Sequence, residues 1–394
     1  MPFGFSLFLW RKYRGIYMMD TKNISARLDS IAHAREKYEQ NLSRPGAIPK
    51  KIIGYFCTYT PRELIHAAGF LPVRVPGGHV RAERADSLVP SFICPYMRAA
   101  TERALRGDFR AISGIVTSYT CDVACGVTNV WGENIAGEIF KNIPLPYNDS
   151  SDSRTFLRSE LLDTAEKLNG LGGAFSLESL ASSLDLYDRI RELILNLYTL
   201  LFEMRLPFSA DTLASILGAS EIVEPEEFLA LTHDFIDEVK GAPPDAYEGI
   251  PVIVSGSLVE EPRAFIIIEQ SGGRIVGDDL CTGFRPHVPA RGKGKDPMDA
   301  LIDRLLRRFP CPSRSRAVGR LPFLFDLIGH TNARGVIFLF QKFCTPHLAD
   351  YPIIVEELKK HDIPSMLFEI EETGFAEGQL RTRCEGFFEM LGGS

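Results

Sequence analysis

The sequence has no Cys-x-x-Cys pair, although it contains eight cysteines in 394 residues. That absence argues against an ordinary zinc site, which uses closely spaced thiol pairs. Eight cysteines are also too sparse for a disulfide scaffold, and a reducing cytoplasm is expected. No apolar run approaches the length needed to span a bilayer. Positive charge is not in excess: the net charge is −7, so there is no electrostatic footprint for nucleic acid. A Gly-x-x-x-x-Gly-Lys-Ser/Thr loop is missing, and the Ala290-to-Lys295 stretch does not supply one. A Gly-x-Gly-x-x-Gly fingerprint is missing too, so NAD is not expected.

What is present is the composition of an ordinary globular protein, 45% hydrophobic and 24% charged. The length predicts two or three domains. In Met1 to Met19, apolar Phe3 to Trp10 precede Arg11, Lys12 and Arg14. A signal peptide places its charges first, so this reads as an over-long start with Met18 or Met19 as an alternative initiator.

The most informative stretch is Gly335 to His347. Val336 to Phe340 form an unbroken apolar run, the pattern of a buried parallel strand. It ends at Gln341 and Lys342, Cys344 follows, and Pro346 blocks easy extension before a helix over Tyr351 to His361. A thiol at the C-terminal end of a parallel strand lies where open α/β sheets place ligands.

Similar patterns recur along the chain. An amphipathic helix is expected over Ile24 to Leu42. Lys51 to Phe56 reads as a strand ending at Cys57, and Thr60 to Glu63 as a capping box opening a helix that Gly69 closes. Leu71 to Val75 and Gly114 to Ser118 read as strands, with a helix from about Met97 to Arg106. Ser176 to Met204 predicts one long helix, followed by Asp211 to Leu217 and Pro225 to Val239. Gly241 to Asp245 is a linker. Val252 to Ser255, Arg274 to Gly277 and Pro364 to Ile370 are expected strands, and Ser257 to Glu260 offers a second capping box. Helices are expected over Asp296 to Arg308, Arg320 to Thr331 and Gly378 to Met390. The predicted fold is α/β: two doubly wound, Rossmann-like parallel-sheet domains with a helical segment between them. The expected boundaries are 1–48 for an extension and helix, 49–148 for the first domain, 149–245 for the helical segment and 246–394 for the second domain.

Six cysteines fall into two triplets, Cys57, Cys94, Cys121 and Cys281, Cys311, Cys344. In each triplet two members follow predicted strands, and the middle one precedes proline (Pro95, Pro312). This is a weak internal repeat, and thiols at the strand ends of two facing domains would converge on the cleft between them. Cys125 and Cys384 lie outside the pattern and read as buried free thiols. Iron–sulfur clusters take thiolates from distant loops, and a following proline removes a competing donor. From chemistry alone, a cluster and six buried free thiols both stand.

The segments Gly54 to Gly69, Cys94 to Tyr96, Thr120 to Asp122, Val336 to Pro346 and Gly378 to Arg383 resemble the 2-hydroxyacyl-CoA dehydratase and benzoyl-CoA reductase superfamily. The resemblance covers about residues 50 to 390. It implies that Cys94, Cys121 and Cys344 match the three ligands of one [4Fe-4S] cluster in dehydratase subunits. Cys57, Cys281 and Cys311, with the Leu280 to Gly283 and Pro310 to Pro312 matches, resemble the double-cubane branch, whose six cysteines hold an [8Fe-9S] cluster. Arg285 is followed by Pro286 where many relatives have an aromatic residue, a departure in the cleft wall near Cys281.

The resemblance implies a low-potential iron–sulfur oxidoreductase, a homodimer reduced by an ATP-hydrolysing iron–sulfur activator protein. The alternative it implies is a lyase: the [4Fe-4S] subunit of a 2-hydroxyacyl-CoA dehydratase, or of a benzoyl-CoA reductase, with a paralogous partner. No catalytic side chain is identified. Thr58, Thr120, Thr282, Thr345, Gln341 and Lys342 lie close to the cysteines and are expected donors to sulfur or loop caps.

Overall fold

A computed structural model describes residues 22–260, 262–314, 317–371 and 376–392. The expected alternative start therefore lies outside the described residues. Two four-stranded parallel sheets carry the molecule. The first has β1 (Ile52–Tyr55), β2 (Leu71–Arg74), β3 (Ile112–Tyr119) and β4 (Ile139–Pro144) in the order β2-β1-β3-β4. The second has β5 (Ile250–Gly256), β6 (Gly273–Asp279), β7 (Gly335–Gln341) and β8 (Ser365–Ile370) in the order β6-β5-β7-β8. Every ladder is parallel, and the two sheets share one strand order. The fold is the expected α/β one, with two doubly wound sheets.

The central strands are covered on both faces, which is why they read as unbroken apolar runs. All seven residues of β7 are buried. Phe338 and Phe340 are essentially inaccessible, each stabilising the fold by about 1.5–3 kcal/mol. In both sheets the central pair, β1 with β3 and β5 with β7, marks the point where the chain reverses its winding. The ends of such strands form a ready crevice.

The long helix Leu177–Phe202 braces the two sheets. Its buried side includes Leu180, Leu184, Tyr187, Arg191, Ile194, Leu197, Tyr198 and Leu201, a stripe at helical spacing. Ser176 caps it by accepting from the Ser179 amide. On one side Ser183 donates to the Glu63 carbonyl at 2.9 Å. On the other Tyr198 donates to Asp278 at 2.5 Å, and Arg191 donates to the Ala290 carbonyl at 2.6 Å.

Several local expectations give way to tertiary contacts. The Thr60 to Glu63 segment is not a capping box, because the helix Arg62–Ala67 has no side-chain cap. Thr60 instead accepts from the Ser118 amide at 3.2 Å, and Glu63 pairs with Arg191. Ser257 and Glu260 do not open a helix either, and the helix there is Arg263–Gln270. Ser257 accepts from the Gln341 amide at 2.7 Å, and Glu260 accepts from the Gly78 amide at 2.9 Å. The expected helix Pro225 to Val239 is two, Pro225–Thr232 and Phe235–Gly241. Pro346 does not block the helix after β7. It sits in the first turn of Thr345–Lys360, where a missing amide costs nothing. The helix Asp122–Asn134 and edge strand β4 are additions to the sequence reading.

Candidate metal centre

Five of the six expected cysteines lie just after a strand or at the start of a helix, and the sixth lies in a loop. Cys57 comes two residues after β1, and Cys281 two after β6. Cys94, Cys121 and Cys344 are each the residue that starts a helix: Pro95–Arg106, Asp122–Asn134 and Thr345–Lys360. Cys311 lies in the loop beyond the helix Pro297–Leu306. Cys311 is buried and the other five are partly exposed, and none is in a disulfide.

Cross-sheet hydrogen bonds bring these loops together. Tyr59 donates to the Phe309 carbonyl at 2.9 Å, and Arg308 donates to the Thr58 carbonyl. These bonds tie the Cys57 loop to the Cys311 loop. Gln341 performs the same task for Cys94 and Cys344. Its side-chain oxygen accepts from the Tyr96 amide at 3.1 Å, and its nitrogen donates to the Leu258 carbonyl at 3.0 Å. The Cys281 turn wraps around Asp278, which accepts from the Leu280 and Phe284 amides at 3.1 and 2.9 Å. Only glycine fits at position 283, because a Cβ there would meet the Asp278 carboxylate at 1.8 Å.

The thiols act on one another electrostatically, within each triplet and across the two. Burial pushes Cys57 up to about 11, with further upward pressure from Cys311 and then Cys121. Burial pushes Cys281 up to about 12, with Cys311 and Cys57 adding to it after an opposing pull from Arg285. Burial likewise takes Cys121 to about 12, with Cys94 and then Cys311 contributing. Cys344 is raised well above its usual range by burial, then by Cys94, Cys281 and Cys121. Cys94 is raised to about 11 by burial. Within Cys94, Cys121 and Cys344 every pair interacts, and so does every pair within Cys57, Cys281 and Cys311. The charges acting on Cys125 come from Asp122, and those on Cys384 from Arg383, Arg381 and Glu385.

The residues near the thiols divide by role. Thr120 donates to the Cys57 sulfur at 3.0 Å, and the Ala124 amide to the Cys121 sulfur at 3.4 Å. Thr282 instead donates to the Val259 carbonyl at 2.8 Å, and Thr345 contacts the Phe343 carbonyl at 3.5 Å. Lys342 pairs with Glu371 at 2.8 Å. Thr58 contributes its carbonyl to Arg308. The sequence reading did not single out Arg285 as a sulfur donor, yet its guanidinium lies 3.2 Å from the Cys281 sulfur. It also holds Asp279 through two nitrogens at 2.9 and 2.8 Å.

Two observations bear on what the site could hold. Among the described residues no group of three or more His, Cys, Asp or Glu side chains suits a single metal ion. Six thiols within electrostatic reach, too dispersed for one ion, match the donor chemistry of a polynuclear iron–sulfur centre. Among the buried polar atoms without partners are Nε of Arg308, beside the Cys57 loop, and both ring nitrogens of His347, close to Cys344. Such atoms are rare in folded proteins and point to an ion or water. Burial and then Arg191 push Arg304 well below the usual guanidinium range. The buried Arg308 guanidinium beside the Cys57 loop is compatible with an anionic group held by these thiols.

Comparison with known proteins matches most of the chain to one family. The family model for 2-hydroxyglutaryl-CoA dehydratase, D-component, matches residues 57–391. The (R)-phenyllactyl-CoA dehydratase beta subunit of Clostridium sporogenes is 28% identical over 369 residues, covering 92% of this chain and 97% of that protein. A benzoyl-CoA reductase subunit of Thauera aromatica is 26% identical over 391 residues, covering 95% and 99%. The (R)-2-hydroxyglutaryl-CoA dehydratase subunit beta of Acidaminococcus fermentans is 22% identical over 387 residues, covering 93% and 100%.

Proposed function

The chain belongs to the 2-hydroxyglutaryl-CoA dehydratase D-component family, and from that premise we propose that it is an iron–sulfur reductase carrying a double-cubane [8Fe-9S] cluster. The carrying observation is the convergence of six cysteine-bearing loops from both sheets, tied together by the Tyr59–Phe309, Arg308–Thr58 and Gln341–Tyr96 hydrogen bonds; the division into triplets comes from the resemblance. Cys94, Cys121 and Cys344 would hold one cubane, and Cys57, Cys281 and Cys311 the other. Bound there, the cluster supplies low-potential electron transfer for the reduction of small molecules.

The chain's own residues hold and tune the thiolates. Three helix N-termini face Cys94, Cys121 and Cys344 and lend partial positive charge. Thr120 and Arg285 donate to sulfur in the other triplet. Electrons would come from an ATP-hydrolysing iron–sulfur activator, as the family resemblance implies. Among the described residues no helix is long and apolar enough to cross a membrane. We place the protein in the cytoplasm as a homodimer. Sedimentation of the iron-loaded protein is expected to give a dimer, and calorimetry no ATP binding. A monomer, or tight ATP binding, would contradict these assignments.

The relatives' names favour a second reading, a subunit of a dehydratase or benzoyl-CoA reductase, to which the resemblance assigns one [4Fe-4S] cluster on Cys94, Cys121 and Cys344. Cysteine-by-cysteine replacement tests the choice of ligands. Cys125→Ser and Cys384→Ser are expected to keep the full iron content. Iron loss in Cys125→Ser would show that the set of six is wrong.

A further inference from the structure

Resting on the double-cubane reading, we propose that Arg308, with Arg285, is a positioning residue that lends positive charge to the cubane of Cys57, Cys281 and Cys311. That half then becomes the easier of the two to reduce.

The two triplets meet different surroundings. Cys94, Cys121 and Cys344 each face a helix N-terminus, worth roughly half a unit charge over a short range. At Cys121 the acidic Asp122 in the first turn offsets part of it. The other triplet meets whole guanidinium charges. Arg285 hydrogen-bonds the Cys281 sulfur at 3.2 Å and acts on Cys311 as well. Arg308 reaches across from the second sheet's side to the Thr58 carbonyl, beside Cys57. Its guanidinium lies 4.5 Å over the Tyr59 ring.

The charge of Arg308 is poorly balanced by the protein. Among the described residues no carboxylate lies within 4.0 Å of it, and its Nε has no partner. Nearby, Arg62, Arg191 and Arg304 gather around Glu63, whose charge is already shared. Arg285 and Arg320 share Asp279. A buried cation without a counter-charge is costly, and a cluster held by thiolates supplies the missing negative charge. Reduction adds one electron from a low-potential donor, with no bond made or broken. The added negative charge is stabilised most beside the arginines, so their side has the higher potential.

Arg285 is unsuited to a clean test, because it also supports Asp279 and the Gly256 carbonyl. Arg308 is better. Arg308→Gln removes the charge and keeps a donor for the Thr58 carbonyl, whereas Arg308→Lys keeps the charge. Anaerobic redox titration followed by electron paramagnetic resonance, with iron counted in each sample, reads the effect. Arg308→Gln is expected to keep its iron and to make the first one-electron reduction at least tenfold less favourable, about 59 mV to lower potential. Arg308→Lys is expected to titrate like the native protein. An iron-replete Arg308→Gln that titrates natively would overturn the inference, as would equal shifts in both variants. If Arg308→Gln loses iron, Arg308→Lys decides. Retention of iron and native potential supports a charge role, and iron loss overturns it. Native protein purified anaerobically without iron would instead remove the double-cubane reading, before any variant is compared.

Discussion

Replacing Cys57 by serine is expected to lower the iron content of anaerobically purified protein to about half, with the remaining iron on a single cubane. Serine is a poor ligand for iron compared with a thiolate. Losing that thiolate strips one corner from the set Cys57, Cys281 and Cys311, which the double-cubane reading assigns to one cubane. The triplet Cys94, Cys121 and Cys344 keeps all its thiols. Iron assay and the visible spectrum check this. A Cys57→Ser variant with its full iron and an unchanged spectrum would favour the single-cluster dehydratase reading. Each triplet draws from both sheets: Cys344 joins Cys94 and Cys121, and Cys57 joins Cys281 and Cys311. Cluster loss is therefore expected to loosen the contact between the sheets as well, because ligation and folding are coupled.

Glu63→Ala is expected to destabilise the protein by about 3–5 kcal/mol, the usual cost of removing one partner from a buried ion pair. Glu63 is 2% exposed and Arg191 is inaccessible. Arg304 lies 3.7 Å from the same carboxylate. Removing that carboxylate leaves several guanidinium groups facing one another at the junction of the long helix and both sheets. Denaturant unfolding measures the loss, and a change below about 1 kcal/mol would show that the charges find other partners. The same pairing predicts acid sensitivity. Burial raises the Glu63 carboxyl, but Arg191, Arg304 and Arg62 outweigh it and hold the group at about 2, below the ordinary 4.5. A carboxylate lowered on folding contributes in full above its unfolded value and loses that contribution as pH falls through its folded value. Stability owed to Glu63 should therefore decline from about pH 4.5 towards 2, and the decline should be absent in Glu63→Ala.

The sheets were legible because central parallel strands must be apolar throughout, as Val336 to Phe340 are. The six cysteines stood out because they recur after strands and before prolines, features that local sequence retains. The capping boxes misled for a physical reason. Thr60, Glu63, Ser257 and Glu260 carry the right chemistry at the right spacing, but each finds a partner in a distant segment. The helix Asp122–Asn134 was missed because its capping side chain is a thiol, Cys121, outside the usual cap residues. Gln341 was singled out as a donor to sulfur; its link from Tyr96 to Leu258 depends on how the two sheets face each other. In the sequence Arg285 stands out only as the residue before a departure in the cleft wall, and nothing local marks Arg308. Their burial beside the thiols follows from long-range packing alone.

Counting iron and acid-labile sulfide per chain in anaerobically purified native protein tests the central claim most directly. The double-cubane account predicts about eight irons and about nine sulfides per chain. About four irons with about four sulfides, or none of either, would contradict it.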